Sequence, residues 1–357
     1  MIKRFLLLVI GVFVIQSLFA TIPDGYYDTA EGKEGYELKT ALYNKIKDHT
    51  VRSYSNLWTD MQSTDKKANG YVWDMYSDIP GGTPAYDYTF VTDQCGNYGG
   101  EGDCYNREHS IPASWFNDAS PMYTDLFHLY PTDGYVNGRR SNYPFGEVGT
   151  ASWTSTNGSK VGTCNYPGYS GTVFEPIDEY KGDFARTYFY MATRYENVIY
   201  SWPGSGMLDG SSDQCFEDWA LDMLIEWHTN DPVSQKELDR NDAVYLIQGN
   251  RNPFIDHEEY VNYIYNPDGS VGVKTINEVS KIKVFPNPAK DKINIELENG
   301  NSANSILIYN LIGEKVIEYS NVNNSLFTFN VEHLPKGVYF IQVDCINNTY
   351  VQKIMLK

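Results

Sequence analysis

A glutamate and a histidine lie side by side, with an arginine just before them, in residues 104–116, which read CYNREHSIPASWF. Glu108 offers hard carboxylate oxygens of the kind that Mg²⁺ and Ca²⁺ bind. His109 is a suitable general base, because an imidazole titrates near neutral pH. Neighbouring side chains of a regular strand point to opposite faces, so the two residues could share one target only at a bend. An isolated pair of this kind is more often a surface feature than a site, so partner residues are needed.

A second group of candidate residues lies about 30 residues later, in residues 125–146, which read DLFHLYPTDGYVNGRRSNYPFG. The apolar residues at its start predict a short strand that ends at Pro131. Thr132 or Asp133 can then N-cap a short helix, because either side chain can accept a backbone hydrogen bond there. Asn137 would lie about one turn into that helix and offers an amide oxygen as a further hard ligand.

The same block contains a second candidate for the amide ligand and two adjacent arginines. Asn142 competes with Asn137 as the amide ligand, because the spacing does not choose between them. Arg139 and Arg140 stand together in a chain with few basic clusters. Arginine suits bidentate contacts to phosphate oxygens, so both are candidate phosphate contacts.

A strand with Glu-His, a second strand and a helix with Asn form the layout of a His-Me finger, also called the ββα-metal nuclease motif. With its other blocks, the chain resembles the secreted endonuclease I family over about residues 25–265. The blocks that carry the resemblance follow in the family's order: VWDMYSD, CGNYGGEGDCYNREHSIPASWF, DLFHLYPTDGYVNGRRSNYPFG, FEPIDEYKGDFARTYFYMATRY and WHTNDPVSQKELDRNDAVYLIQGNRNPFIDHEEYV.

The resemblance implies a nonspecific nuclease that cuts phosphodiester bonds of DNA with one divalent metal, and of RNA if the sugar is tolerated. The implied metal is Mg²⁺, with Ca²⁺ and Mn²⁺ as alternatives. In this sequence the resemblance makes His109 the general base that activates water, and Glu108 and Asn137 the metal ligands. Arg139 and Arg140 become candidate contacts to the phosphate or to the transition state.

The chain departs from the family pattern at one position near the proposed site. Members usually have His where this chain has Phe127, whereas His128 fits the next position. The lost imidazole could weaken a contact that orients the metal ligands. Because the three proposed ligand and base positions are unaffected, we expect activity to survive.

Two other functional classes compete with a nuclease. The net charge of −18 argues against a general electrostatic grip on nucleic acid and leaves room only for a local basic site or a metal bridge. The 30 tyrosines would also suit a noncatalytic, surface-displayed protein that binds carbohydrate or protein. The third class is a metal-dependent phosphodiesterase that acts on small substrates.

Several helices must position the two motifs. Leu38, Leu42 and Ile46 have helical spacing, which predicts a helix over residues 36–50. Three further helices are predicted within residues 178–200, 215–231 and 234–250. Gly249 is the predicted stop of the last one. Helices mixed with short strands indicate an α+β domain around the His-Me finger.

The C-terminal region has a different character. Alternating runs such as KINIELE, SILIYNL and VYFIQVD, separated by turn signals, predict a small antiparallel β-sandwich. This region resembles the C-terminal sorting domain of proteins exported by the type IX secretion system, through VFPNPAKDKINI, YNLIGEKV, LPKGVYFIQV and KIMLK. The resemblance implies a sorting signal that the type IX secretion machinery recognises when it exports the protein across an outer membrane.

The N-terminus predicts export. Lys3 and Arg4 precede an apolar run of about 15 residues, and Ala20 is a small residue suited to cleavage, which together indicate a secretory signal peptide. A spanning helix needs roughly 20 apolar residues, so we expect no retained transmembrane segment. The expected organisation is a signal peptide (residues 1–20), a catalytic domain (21–265), a linker (266–277) and a sorting domain (278–357).

Export to the cell surface or the medium permits disulfides among the five cysteines. Cys95 and Cys104 flank the flexible loop CGNYGGEGDC, which would let its ends meet, so we predict that they pair. Cys164 and Cys215 are predicted as a second pair, which leaves Cys345 over. The sequence does not indicate an oligomeric state.

Overall fold

The computed structural model describes residues 22–266, 282–297, 303–310, 315–322, 326–345 and 349–357. The chain divides into two compact units, Met1–Gly272 and Val273–Lys357, which we call the first and second units. The predicted signal peptide at residues 1–20, and the predicted linker except its first residue, lie outside the described residues. Within the described ranges, no helix combines the length and the apolar character needed to cross a membrane.

The first unit is a mixed α+β fold, as predicted, built around eight α-helices in its described part. They are α1 Gly35–Ile46, α2 Leu57–Thr64, α3 Gly134–Arg140, α4 Lys181–Arg194, α5 Asp218–Asn230, α6 Gln235–Gln248, α7 Pro253–Asp256 and α8 Glu259–Tyr265. The apolar stripe of α1 is fully buried, which confirms the predicted helix. A capping box between Ser234 and Glu237 starts α6, and Gly249 ends it at φ 79°, a left-handed conformation that glycine adopts readily.

Helix α4 is the centre of the first unit, because all 14 of its residues are buried. Its aromatic side chains pack in the main apolar core with Phe145 and Phe174. Three of its four charged residues form ion pairs with carboxylates or ammonium groups, and Arg186 donates to the Glu237 carboxylate of α6 at 2.8 Å. A buried helix of this kind fixes the elements that surround it, which include the segment before β2.

The strands of the first unit form two small antiparallel sheets. A hairpin pairs β1 Tyr105–His109 with β2 Leu129–Asp133, and a three-stranded sheet joins β3 Val148–Thr154, β4 Lys160–Cys164 and β5 Thr172–Glu175. The predicted end of β2 at Pro131 is wrong, because the strand continues to Asp133. Proline lacks an N–H donor but is tolerated in an edge strand, and both strands of a hairpin are edges.

One of the two predicted disulfides is present. Cys95 and Cys104 are bonded and close the glycine-rich loop. The predicted pair of Cys164 and Cys215 is wrong, because both are free and buried in different surroundings. Cys164 ends β4, whereas the Cys215 thiol lies 2.9 Å from the Lys39 ammonium. The side chain of Cys345 lies outside the described part.

The second unit consists of antiparallel sheets, as predicted. One has the strand order β10-β7-β6 and the other β12-β11-β8-β9. Their strands are β6 Ile282–Phe285, β7 Lys292–Leu297, β8 Ala303–Asn310, β9 Lys315–Val322, β10 Leu326–Asn330, β11 Gly337–Cys345 and β12 Thr349–Leu356. Alternate residues such as Ile293 and Ile295 of β7 and Ile306 and Ile308 of β8 lie in one common core, which explains the period of two in the sequence.

Candidate functional site

The β1–β2 hairpin leads directly into helix α3. Asp133 ends β2 and caps α3, because its Oδ1 accepts the Val136 N–H at 2.9 Å. Its Oδ2 accepts the Tyr88 hydroxyl at 2.6 Å and the Gly102 N–H of the disulfide loop at 2.8 Å. Of the two predicted caps, Asp133 is therefore the one used, and its buried carboxylate fixes where α3 begins.

Glu108 points from β1 toward α3 and is only 3% exposed. Its Oε1 accepts hydrogen bonds from Arg140 Nη1 and from the Tyr76 hydroxyl, each at 2.9 Å. Burial raises the pKa of the Glu108 carboxyl, and the Arg140 guanidinium opposes that shift. In the part of the chain that the structure describes, no side chain donates to Oε2, so this oxygen is the one available to a ligand.

Two amides lie on the same face of the hairpin as Glu108. Asn106 precedes Glu108 by two residues on β1, and its Oδ1 accepts from Asn137 Nδ2 of α3 at 2.8 Å. The structure therefore brings the predicted ligand Asn137 to the Glu108 side of β1 and adds Asn106 to the oxygen donors there. Its rival Asn142 is exposed and lies beyond the end of α3.

The oxygen atoms on this face suit a hard cation that keeps several water ligands. No group of three or more His, Cys, Asp or Glu side chains in the described ranges could hold a metal. A site there would consist of the Glu108 carboxylate, amide oxygens and water. Mg²⁺ is commonly held by only one or two carboxylates and retains several waters, so these residues suit it.

His109 lies on the opposite face of β1. The pairing of β1 with β2 runs from Tyr105 to His109 without a shift in register. The strand therefore has no bend that would turn Glu108 and His109 toward one target. The imidazole stacks on Tyr123 with ring centroids 4.9 Å apart, and its Nε2 lies 3.0 Å from the Tyr123 carbonyl oxygen. A carbonyl only accepts, so Nε2 carries the proton and Nδ1 presents its lone pair as a base.

The protonation state of His109 agrees with that assignment. Burial, and secondarily the His128 imidazole, lowers the pKa of His109 to about 3. The ring is therefore neutral at pH 7, and its Nδ1 carries a lone pair. His128 itself is fully buried, with Nε2 2.7 Å from the Met122 carbonyl oxygen and its ring centroid 5.4 Å from that of His109.

The two adjacent arginines are in different environments. Arg139 is exposed, with its guanidinium carbon 5.3 Å from the centre of the Trp153 ring. Arg140 is 1% exposed and donates to Glu108 and to the backbone carbonyls of His109 and Ser110. Arg139 is thus accessible to a phosphate from solvent, whereas Arg140 is engaged in holding the hairpin to α3.

Arg107, for which the sequence predicts no role, lies on the His109 face of β1. Its guanidinium carbon lies 3.6 Å from the centre of the Tyr54 ring and 4.1 Å from that of Trp58. No carboxylate within the described ranges forms an ion pair with it. Its spacing of two from His109 on a predicted strand is the signal that could have identified it.

Phe127, where the family usually has His, lies in the apolar core. It is 1% exposed and its ring centroid is 4.5 Å from that of Tyr190 in α4. The next side chain, His128, is the one that faces the candidate base. In this chain an apolar side chain at position 127 therefore serves packing and does not contact the ligands.

The sequence is similar to known secreted nucleases. The Endonuclease I family profile matches residues 34–259, and the profile of a secretion system C-terminal sorting domain matches residues 283–357. An extracellular ribonuclease of Bacillus subtilis is 36% identical over 247 residues, which cover 68% of this chain and 78% of that protein. An extracellular deoxyribonuclease of Aeromonas hydrophila is 28% identical over 195 residues, which cover 54% of this chain and 69% of that protein.

Proposed function

The chain belongs to the Endonuclease I family and is a secreted nucleic-acid-hydrolysing enzyme, and on this premise we propose how its residues carry out the reaction. We propose that His109 is the general base, that Glu108 and Asn137 hold one divalent metal, and that Arg139 contacts the phosphate. Arg140, also predicted as a phosphate contact, acts in this proposal by holding the Glu108 carboxylate. The motif is thus a His-Me finger formed by β1, β2 and α3.

One observation carries this proposal: the neutral His109 ring has its Nε2 directed at the Tyr123 carbonyl and its Nδ1 unengaged in the described structure. An imidazole held in this way can remove a proton from water without first losing its own. The end of β1 also presents Glu108, from the other face of the same strand. A phosphodiester lying across this end would meet the base on one side and the ligand set on the other.

The bound metal would polarise a phosphoryl oxygen and stabilise the leaving oxygen. The protein's own part is to place and deprotonate the water through His109 Nδ1, to hold Glu108 through Arg140 and Tyr76, and to neutralise phosphate charge through Arg139. These contacts involve the phosphate and not the bases, so they support cleavage with little sequence preference. We propose DNA as the substrate and Mg²⁺ as the metal. RNA is included because the similar Bacillus protein is named a ribonuclease.

The second unit is the export signal, since it matches a secretion system sorting domain. We propose that the type IX secretion machinery reads this unit. Deleting residues 273–357 should then leave the nuclease inside the cell envelope of a type IX host, whereas the intact chain reaches the surface or the medium.

The first test is cleavage of supercoiled plasmid by the exported chain in Mg²⁺, with and without a chelator. We expect cleavage that the chelator abolishes, and parallel digestion of a structured RNA. Absence of cleavage of both polymers by the wild-type protein would refute the nuclease. Chromogenic small phosphodiesters, tested in parallel, should be poor substrates, and a clear preference for them would favour the small-substrate phosphodiesterase.

The amide ligand can be identified by a matched pair of variants. Asn137→Ala should raise the Mg²⁺ concentration needed for half-maximal cleavage by at least about tenfold, the scale seen when metal shells are disturbed. Asn142→Ala should leave it unchanged, because Asn142 is exposed beyond α3. Titration of Mg²⁺ at saturating plasmid measures both. The reverse pattern would transfer the ligand role to Asn142.

A further inference from the structure

The buried arginines of the first unit differ in whether a carboxylate pairs with them. Five arginines in the described chain are buried, and four of them are ion-paired with carboxylates. The paired residues are Arg140 with Glu108, Arg186 with Glu237, Arg240 with Asp65, and Arg251 with Asp256. The fifth, Arg194, is 7% exposed and has no carboxylate at ion-pair distance in the described ranges. A buried charge without a partner is costly, so its environment needs an explanation.

Arg194 has one described polar partner. Its Nε lies 2.9 Å from His49 Nδ1, and its guanidinium packs over the Tyr195 ring with the carbon 4.6 Å from the ring centre. Asp125 lies behind His49, 3.9 Å from the far nitrogen of that ring. As the last residue of α4, Arg194 also interacts favourably with the helix dipole. In the described structure its terminal nitrogens have no protein acceptor and are not sealed from solvent, so they are open to a ligand.

Arg194 and Lys47 both line a cavity of about 310 Å³. The other polar groups of the lining are mostly neutral: Tyr43, Ser120 and Asn197 offer hydroxyl and amide donors, and Asp48 is the single carboxylate among the lining residues. A pocket with two cations and several neutral donors suits an oxyanion, and an arginine fork suits phosphate oxygens. In a chain with a net charge of −18, two cations that share one cavity form a local basic site.

A short chain segment connects the lining of this cavity with the contact that orients the candidate base. Pro121 and Met122 line the cavity, and the next residue, Tyr123, supplies the carbonyl that lies 3.0 Å from His109 Nε2. Successive residues advance the chain by at most about 3.6 Å, so the cavity begins roughly one or two residue lengths from the contact that orients His109.

We propose that this cavity binds a backbone phosphate of the nucleic acid, one that flanks the phosphodiester being cut, through Arg194 and Lys47. The inference rests on the proposed nuclease function and adds a substrate subsite to it. A flanking contact of this kind tightens binding of the polymer without entering the chemistry at the scissile bond. It therefore acts on KM and on the salt dependence of binding.

The test measures binding of a short fluorescent single-stranded DNA to the full chain in chelator, which prevents cleavage, over a series of salt concentrations. Loss of one phosphate contact should reduce the slope of log affinity against log salt by about 0.7. We expect this reduction for Arg194→Met and for Lys47→Met, with higher KM and unchanged kcat in Mg²⁺. The matched control is Lys45→Met: Lys45 lies over the Tyr26 ring, outside the cavity lining, and its loss should leave the slope unchanged.

Each outcome decides the assignment. If Arg194→Met does not fold, Lys47→Met still tests the cavity, because Lys47 is only partly buried. Wild-type slopes in both variants, or an equal reduction in Lys45→Met, would overturn the subsite. If inorganic phosphate binds the wild type and not Arg194→Met while the DNA slopes are equal, the cavity takes free phosphate and the backbone assignment is wrong. Plasmid cleavage by the wild type is scored separately, so failure of the nuclease does not mimic failure of the subsite.

Discussion

His109→Ala should lower kcat/KM for plasmid cleavage by roughly 10²–10⁴-fold, the usual contribution of a positioned general base. The imidazole has its Nε2 at the Tyr123 carbonyl oxygen, and in the proposed mechanism Nδ1 accepts the proton from water. Removing the ring removes the base but leaves Glu108 and the amides on the other face of β1. The initial rate of nicking at subsaturating plasmid measures the effect.

Two controls separate chemistry from folding. His257→Ala removes a partly exposed imidazole that contacts Glu259 and should cleave at the wild-type rate. Added imidazole should partly restore cleavage by His109→Ala, because a small base can diffuse into the space left by the ring, whereas it cannot repair a misfolded chain. A wild-type rate for His109→Ala would remove the base role while leaving the nuclease activity in place.

The largest expected effect on stability is that of Arg140→Ala, which should lower the free energy of unfolding of the first unit by roughly 3–5 kcal/mol. Both partners of the ion pair are almost fully buried, with Arg140 1% and Glu108 3% exposed, so truncation leaves the Glu108 carboxylate without its countercharge. Arg140 also donates to the carbonyls of His109 and Ser110. Denaturation followed by tryptophan fluorescence isolates this unit, because all seven tryptophans lie in it.

The neighbouring Arg139 gives a matched control. Arg139→Ala removes the same side chain from an exposed position and should change stability by no more than about 0.5 kcal/mol. The double variant Glu108→Leu with Arg140→Met should be more stable than Arg140→Ala, since replacing both charges avoids an unpaired one. Equal stability of the two single arginine variants would show that the buried ion pair is not a major support of the hairpin and α3.

The two arginines should also differ in how they affect catalysis. We expect Arg139→Ala to raise KM for plasmid with its fold intact, because its proposed role is contact with phosphate. Under conditions in which Arg140→Ala is folded, its effect should appear in the Mg²⁺ requirement, because its proposed role is to hold the Glu108 carboxylate. These separate readouts distinguish a phosphate contact from a residue that positions a ligand.

Local pattern was sufficient to predict much of the framework. Apolar spacing located α1, because the apolar face of a helix must follow its 3.6-residue repeat, and stop signals helped to locate α5 and α6. Gly249 marked the end of α6, and Thr132 or Asp133 the start of α3, because left-handed backbone and capping depend on the residue itself; the structure then selected Asp133. The period of two marked the strands of the second unit, and the short loop between Cys95 and Cys104 limited how far apart those residues could lie.

Other features depended on residues distant in sequence. Nothing local distinguishes Arg139 from Arg140, and only the approach of β1 to α3 makes one accessible and buries the other against Glu108. The second cysteine pairing failed for the same reason, because the fold places Cys164 and Cys215 in separate surroundings. The end of β2 was misjudged because proline is compatible with an edge strand, and edges are defined by pairing.

The sequence by itself thus determined the family, the order of the proposed acid, base and amide residues along the chain, and the tail that directs export, since these depend on residue type and short-range spacing. The tertiary structure decided the two faces of β1, with Glu108 toward α3 and His109 toward Tyr123. It also decided the tautomer of His109 and left Arg194 without a carboxylate partner in the described ranges. Burial, hydrogen-bond partners and countercharges belong to the packed surroundings of a side chain, and distant segments supply those surroundings only when the chain folds.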